Sequence, residues 1–172
     1  MSKCKINVGC GPRNFGKDWI HIDGGDYPHL NGKDIMLPHF DHDSVDVIYA
    51  SHVIEYFDRI LVQGLISIWR DKLKEGGLLY LAVPDFRKLA SLYVEDKCIL
   101  YEIIGPLYGR MQMDEAWIYH KTVYDYDTLY GLMYSCGFTG IQEWAILKDG
   151  YDDYSQAMKK GVRISLNLRG TK

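Results

Sequence analysis

Short, nearly continuous apolar runs alternate along the chain with segments whose apolar residues recur at helical spacing. Lys5 to Val8, Trp19 to Ile22, Val45 to Ala50 and Leu78 to Val83 are bounded by Gly, Asp or Pro, as strands buried on both faces of a parallel sheet are. Between the last two, Asp58 to Lys74 carries Leu61, Leu65, Ile68, Trp69 and Leu73 on one face. That spacing predicts a helix, with Glu75-Gly76-Gly77 as its stop, and strand, helix and strand together predict a right-handed crossover. A later helix is marked by Asp127 as N-cap, by Leu129, Leu132, Met133 and Cys136 on one face, and by Gly137-Phe138 as terminator. Strands over Ile141 to Leu147 and Val162 to Leu168 follow. No helical pattern separates them, which predicts an antiparallel, hairpin-like ending. The middle, Phe86 to Tyr124, is aromatic-rich, with helices expected near Phe86 to Tyr93 and Lys97 to Ile104.

The pattern describes an α/β chain, and 172 residues with 47% hydrophobic content suffice for one core. A single domain over residues 1–172 is therefore expected. The net charge of -3 gives no basic face for nucleic acid, and the basic stretch from Lys159 to Lys172 reads as a solvated final segment. Cys4, Cys10, Cys98 and Cys136 lack Cys-x-x-Cys spacing, which suits reduced thiols in a cytoplasmic protein. No apolar run is long enough for a signal peptide or membrane span, so no membrane partner is expected.

Candidate chemistry concentrates near the start. The first apolar run enters Gly9-Cys10-Gly11-Pro12, and the second ends in Asp23. Glycines at 9 and 11 permit close backbone approach and positive φ, and a carboxylate at a strand end can accept two ribose hydroxyls. A nicotinamide-dependent oxidoreductase shares the glycine turn and carboxylate. There, however, the acid follows the glycines by about 20 residues, and Asp23 comes sooner.

Several motifs in the same order resemble the class I S-adenosylmethionine-dependent methyltransferases, and within them a small branch of predicted enzymes. They are Ile6-Asn7-Val8-Gly9-Cys10-Gly11-Pro12, Ile22-Asp23, the run from Ser44 to His52, Ile54-Glu55, Leu73 to Leu78 and Val83-Pro84-Asp85. The resemblance, spanning about Lys5 to Phe138, implies a single-domain Rossmann-like methyltransferase fold, its mostly parallel sheet ending in an antiparallel last strand. It implies S-adenosylmethionine as cofactor: Asn7, Gly9, Cys10 and Gly11 around the methionine part, Asp23 on the ribose, Asp34 near the adenine edge, and Ser51 and His52 beside the sulfonium. The chain departs from the family at Asn7, where a carboxylate is usual. It departs again in lacking a third glycine near Arg13 and Asn14, and in reading Glu55-Tyr56 where the branch has Glu-His. The link from Gly11 to Trp19 barely meets the length of a helical crossover, so the first helix is expected to be truncated or missing.

Catalysis would consist of methyl transfer to a small-molecule hydroxyl, on a sugar or related metabolite. His120 is the first candidate base, with anchoring of its loop as the rival role, and His52 is the second. Asp85 points to the same mouth, or caps the helix starting at Phe86. Tyr101, Tyr108, Trp117, Tyr119, Tyr124 and Tyr126 are candidates for an acceptor pocket. Such density also builds cores and dimer surfaces, which leaves a homodimer open. His21 is expected to pack or to cap structure within its strand, and His29, His39 and His42 to be solvated. His52 and Glu55 alone are too few ligands for a metal site. The alternative function is a non-catalytic S-adenosylmethionine-binding sensor or partner subunit.

Overall fold

A computed structural model describes residues 3–113, 115–145 and 153–172. Its centre is a six-stranded sheet in the order β2-β1-β3-β4-β10-β7. The strands are β1 (Lys5–Val8), β2 (Ile20–Ile22), β3 (Val45–Ser51), β4 (Leu73–Pro84), β7 (Thr139–Glu143) and β10 (Ser165–Thr171). β1 pairs in parallel with β2 and β3, and β3 with β4. β10 lies between β4 and β7, antiparallel to both. The chain leaves β1 to one side for β2 and returns on its other side as β3, which puts the topological switch point at the carboxyl ends of β1 and β3.

Strand residues alternate between faces, and the two faces are covered differently. Ile6, Val8, Ile48, Leu79, Leu81 and Leu168 share one core with Leu65, Ile66 and Trp69 of α1 (Val62–Lys72) and with Leu129 and Met133 of α4 (Tyr126–Ser135). The opposite face presents Asn7, His21, Tyr49, Tyr80 and Asn167, and no helix follows β1 to cover it. Aromatic side chains fill the gap: Phe15 and Trp19 from the β1–β2 link and Trp144 beyond β7 pack edge-on against Tyr49, and Trp144 also against Tyr80. Beneath them the Tyr49 hydroxyl donates to the Asp153 carboxylate. The missing first helix and the antiparallel ending are thus as expected.

Several boundaries move. The first helix spans Val62–Lys72 and gives way at once to β4, so Glu75-Gly76-Gly77 is not its stop but a bulge inside the strand. The bulge is held by pairing with residue 172, whose carbonyl accepts from Gly76 and whose N–H donates to Gly77. The N-cap of α4 is Asp125, with Asp127 in the first turn. Asp125 has extended dihedrals and exchanges hydrogen bonds with Thr128, a capping box that Asp127 cannot make from inside the helix. The stretch from residue 159 is a further correction, since half of it enters the sheet as β10 with Leu166 and Leu168 buried. The strand expected to Leu147 ends at Glu143, and residues 146 and 147 lie outside the described ones.

The middle segment holds α2 (Phe86–Val94), α3 (Leu100–Tyr108) and a small hairpin of β5 (Met111–Met113) and β6 (Ala116–Ile118). A second hairpin pairs β8 (Met158–Lys159) with β9 (Val162–Arg163). All four cysteines are free thiols. Among the described residues no helix is long and apolar enough to cross a membrane.

Replacing Asp125 with Ala should destabilise the fold by about 0.5–2 kcal/mol, the worth of an N-cap. Asp127→Ala should cost clearly less, and denaturant unfolding of the two variants separates the caps.

Candidate functional site

β1 delivers its chain into the turn Gly9–Gly11, and β3 ends at Ser51, one strand away at the switch point. Between them is a recess of about 10 Å³, lined by Asn7, Gly9, Cys10 and Ser51 together with Arg13, Phe15, Asp153 and Tyr154. Four expected cofactor residues therefore converge. The Ser51 hydroxyl is buried there with no hydrogen-bond partner, and Asn7 is 2% exposed. Ligand sites usually enclose about 300–1,000 Å³, whereas this recess has room for about one water and is closed over by the Arg13 guanidinium, 4.6 Å over the Tyr154 ring.

The turn itself is pinned to β2. Gly9 and Cys10 donate to the Ile22 carbonyl at 2.7 and 3.4 Å, and Gly11 donates to Asp23 Oδ2 at 2.8 Å. Asp23 Oδ1 accepts from Gly25 at 2.7 Å. The N–H groups expected to face a ligand instead hold the loop. The two glycines differ as well. Gly9 has φ +67° and a Cβ there would overlap Val53, whereas Gly11, at φ +54°, faces only Arg13 Nη1 at 3.9 Å. Gly9 answers to packing and Gly11 to an open cradle.

The remaining candidates lie apart from the recess. Asp34 is exposed and accepts from Met36 N–H, just past an isolated parallel bridge between Ile22 and Gly32. Asp85 caps α2, accepting from Lys88 N–H at 3.1 Å, with Lys88 Nζ 3.3 Å from its other oxygen. Beside it a larger open cleft runs between Leu166 of β10 and Tyr126 of α4. The expected aromatic pocket does not form. Tyr101 and Tyr108 on α3, Trp117 on β6, Tyr119 just past it and Tyr126 at the start of α4 are all exposed, and Tyr124 is buried in the main core. His29 is not merely solvated, standing 3.7 Å from Cys10 Sγ with its ring against His21. His21 accepts from the Phe15 N–H.

His52 follows Ser51 with φ +57°, places Nδ1 3.3 Å from Glu55 Oε1 and Nε2 3.4 Å from Ser165 Oγ, and packs against Tyr154. His120 has both ring nitrogens turned to protein groups, Nδ1 to the Leu107 carbonyl at 3.1 Å and Nε2 to Glu55 Oε1 at 3.9 Å. Its ring fills the space over Gly109, which has φ +55° and no room for a Cβ. His120 is thus tied to the segment around Leu107 and Gly109. Among the described residues no group of three or more His, Cys, Asp or Glu is arranged to hold a metal ion. Burial lowers the pKa of His120, against the pull of the Glu55 charge, and lowers that of His21. Burial, with the Asp23 charge second, pushes the Cys10 thiol up to about 12, so it is no nucleophile at neutral pH.

Sequence reasoning missed Arg13, Phe15, Asp153 and Tyr154 as lining, and Glu55 as the group between two histidines. Arg13 and Phe15 carry a weak signal, following the glycine turn where a helix would otherwise begin. Asp153 and Tyr154 carry none, because the bond from the distant Tyr49 hydroxyl to Asp153 brings them there.

The chain matches no protein-family model and no curated protein. Solved structures match it over nearly its whole length. An S-adenosylmethionine-dependent methyltransferase from Archaeoglobus fulgidus superposes with TM-score 0.63 at 15% identity, covering 99% of this chain and 86% of that one. One from Mesorhizobium loti gives 0.57 at 15% identity, covering 99% and 91%. The fold is that of the class I S-adenosylmethionine-dependent methyltransferases. A third structure with this methyltransferase fold is the 1,6-didemethyltoxoflavin-N1-methyltransferase of Burkholderia thailandensis, solved with its substrate and S-adenosylhomocysteine. It superposes with TM-score 0.58 at 10% identity, covering 98% of this chain and 70% of that one.

Gly9→Ala should destabilise by about 2–4 kcal/mol, combining overpacking with left-handed strain, whereas Gly11→Ala should cost only about 1–2 kcal/mol. Chemical denaturation distinguishes the two glycines. The depressed histidines set a pH dependence of opposite sign to an ion-paired histidine. The unfolded chain binds protons at His21 and His120 that the folded chain refuses, so stability is full above about pH 6.5 and falls as pH drops below it. The carboxylates held below their usual range, Asp46 and Asp125 among them, act only nearer pH 4. Melting temperature against pH should therefore begin to fall near 6.5, and His21→Gln should flatten that first limb.

Proposed function

We propose that this chain transfers a methyl group from S-adenosylmethionine to a small-molecule hydroxyl, on a sugar or related metabolite. The observation that carries the reading is the convergence of the glycine turn and the orphaned Ser51 hydroxyl at the switch point of a methyltransferase fold. The residues fit the cofactor's chemistry group by group. Asp23 keeps lone pairs on both oxygens after serving Gly11 and Gly25, enough to accept two ribose hydroxyls. Arg13 offers a guanidinium to a carboxylate. Asn7 offers an amide oxygen to an ammonium, and Ser51 gains the partner it lacks. Seating the cofactor requires Arg13 and Tyr154 to part, since together they close the recess. Bound there, it supplies a methyl group on a sulfonium, a good leaving group, so alignment is most of what the protein must add.

His52 is the base we assign to a hydroxyl acceptor. It adjoins Ser51 and packs against Tyr154, two residues that line the recess, whereas His120 lies beside Leu107 and Gly109. A second reading, binding without turnover as a sensor or partner subunit, draws on the closed recess and on Asn7 in place of a carboxylate.

Calorimetric titration with S-adenosylmethionine, S-adenosylhomocysteine and NAD should give saturable binding of the first two only. Asp23→Asn should weaken it by about 1.5–3 kcal/mol, the worth of hydrogen bonds to a charged group. Absence of binding at millimolar cofactor overturns the proposal. Binding without labelled methyl appearing on any of a panel of free and nucleotide-linked sugars favours the sensor.

A further inference from the structure

Asp153 is 8% exposed and lines the recess between the ends of β1 and β3. Both of its carboxylate oxygens accept hydrogens, Oδ1 from the Ser155 N–H at 2.8 Å and Oδ2 from the Tyr49 hydroxyl. That is the setting of an ionised carboxyl group, which can only accept. Burial and then the Asp153 charge raise the pKa of Tyr49, so the phenol keeps its hydrogen and donates it to Asp153.

Both donors are neutral. The Ser155 N–H would be capped as well by Asn or Ser at position 153, and a phenol hydrogen needs an acceptor but not a charge. Among the described residues no Lys, Arg or His forms an ion pair with Asp153. The Arg13 guanidinium of the same recess lies over the Tyr154 ring instead. A carboxylate taken out of water with neutral donors alone is costly. The bonds to Tyr49 and Ser155 explain where Asp153 sits and leave its charge unbalanced.

The rest of the lining shows what would balance it. The Ser51 hydroxyl is buried without a partner, and the buried Asn7 amide lines the same space, which has room for about one water. A water there would join these groups and leave the charge as it is. A primary ammonium is of nearly the same size, carries a positive charge and brings three hydrogens. Three acceptors await them: an Asp153 oxygen, the Asn7 amide oxygen and the Ser51 hydroxyl oxygen. Arg13, with five donors, stands at the same recess for the carboxylate that accompanies such an ammonium in an α-amino acid.

We propose that the recess receives the ammonium of an α-amino acid end, and that Asp153 is the residue that selects for it. The proposal rests on the methyltransferase reading above, in which that end belongs to the cofactor. Asp153 then distinguishes a nucleoside that carries the amino acid from one that lacks it. Its charge reaches the glycine turn from far along the chain, held there by Tyr49 of β3. Entry needs Arg13 and Tyr154 to part, after which the ammonium takes the space of one water.

Asp153→Asn keeps the shape and the cap and removes the charge. Calorimetry should show its affinity for S-adenosylhomocysteine reduced by about 10- to 100-fold, the change that goes with hydrogen bonds to a charged group. Affinity for 5′-methylthioadenosine, which has the nucleoside but no amino acid end, should stay within about twofold of the wild type, because no contact to it is lost. Returning the charge from across the recess, in the double variant Asn7→Asp with Asp153→Asn, should regain about tenfold for S-adenosylhomocysteine alone. If Asp153→Asn does not fold, Asp153→Ser, an uncharged cap of similar worth, takes its place. Equal loss for both ligands, or loss for neither, overturns the proposal and makes Asp153 a tie for Tyr49. A wild type that binds the two equally tightly also overturns it, while the methyltransferase reading stands. A wild type that binds neither removes that reading and the proposal with it.

Discussion

Among the described residues α1 and α4 cover one face of the sheet, and the other is shielded largely by side chains from its own links. The apolar side of β1, β3, β4 and β10 is buried by α1 and α4 together with Leu37, Val53, Ile54 and Phe138. On the far side no crossover helix follows β1, so Phe15, Trp19 and Trp144 lie over Tyr49, and Asp153 is drawn in to meet the Tyr49 hydroxyl. Large flat rings suit this task, each removing much area from water with few rotatable bonds. Once Asp153 is fixed, Tyr154 falls over the recess. The shape of the candidate site thus follows from the absence of one helix.

The same economy explains why the glycine turn is held by β2. With no helix N-terminus behind it, the turn has no ladder of its own, and its N–H groups find partners in the Ile22 carbonyl and the Asp23 carboxylate. Asp23 therefore ties two loops together with the oxygens that would meet a ribose. Holding the loop and meeting the ligand are compatible because each carboxylate oxygen accepts more than one hydrogen.

Local signals made the parallel strands, α1, α2 and the antiparallel ending legible, since apolar runs and helical spacing are written within a few residues. Asn7, Gly9, Cys10 and Ser51, the part of the recess lining that was legible, each stand at or just past the end of such a run. What escaped depends on distance in sequence. Glu55 looks unremarkable until a loop more than sixty residues on sets His120 beside it. Tyr154 reaches the recess through the Tyr49–Asp153 bond, which no pattern encodes. The cap of α4 was misread by two residues because Asp125 and Asp127 offer the same chemistry, and only backbone dihedrals separate them. The aromatic stretch misled because richness in rings does not say which way they point.

The strand order also governs when the molecule can come together. β10 separates β4 from β7, and the carbonyl and N–H of residue 172 complete the bulge in β4. On a ribosome, where chains emerge N-terminal end first at about 5–20 residues per second, β7 has no edge to join until residues 165–171 are out. Ser165 and Asn167, the support beneath His52, come with that strand. Until then the nascent chain exposes β4 as an unpaired edge, the kind of surface on which chaperones and misassembly compete.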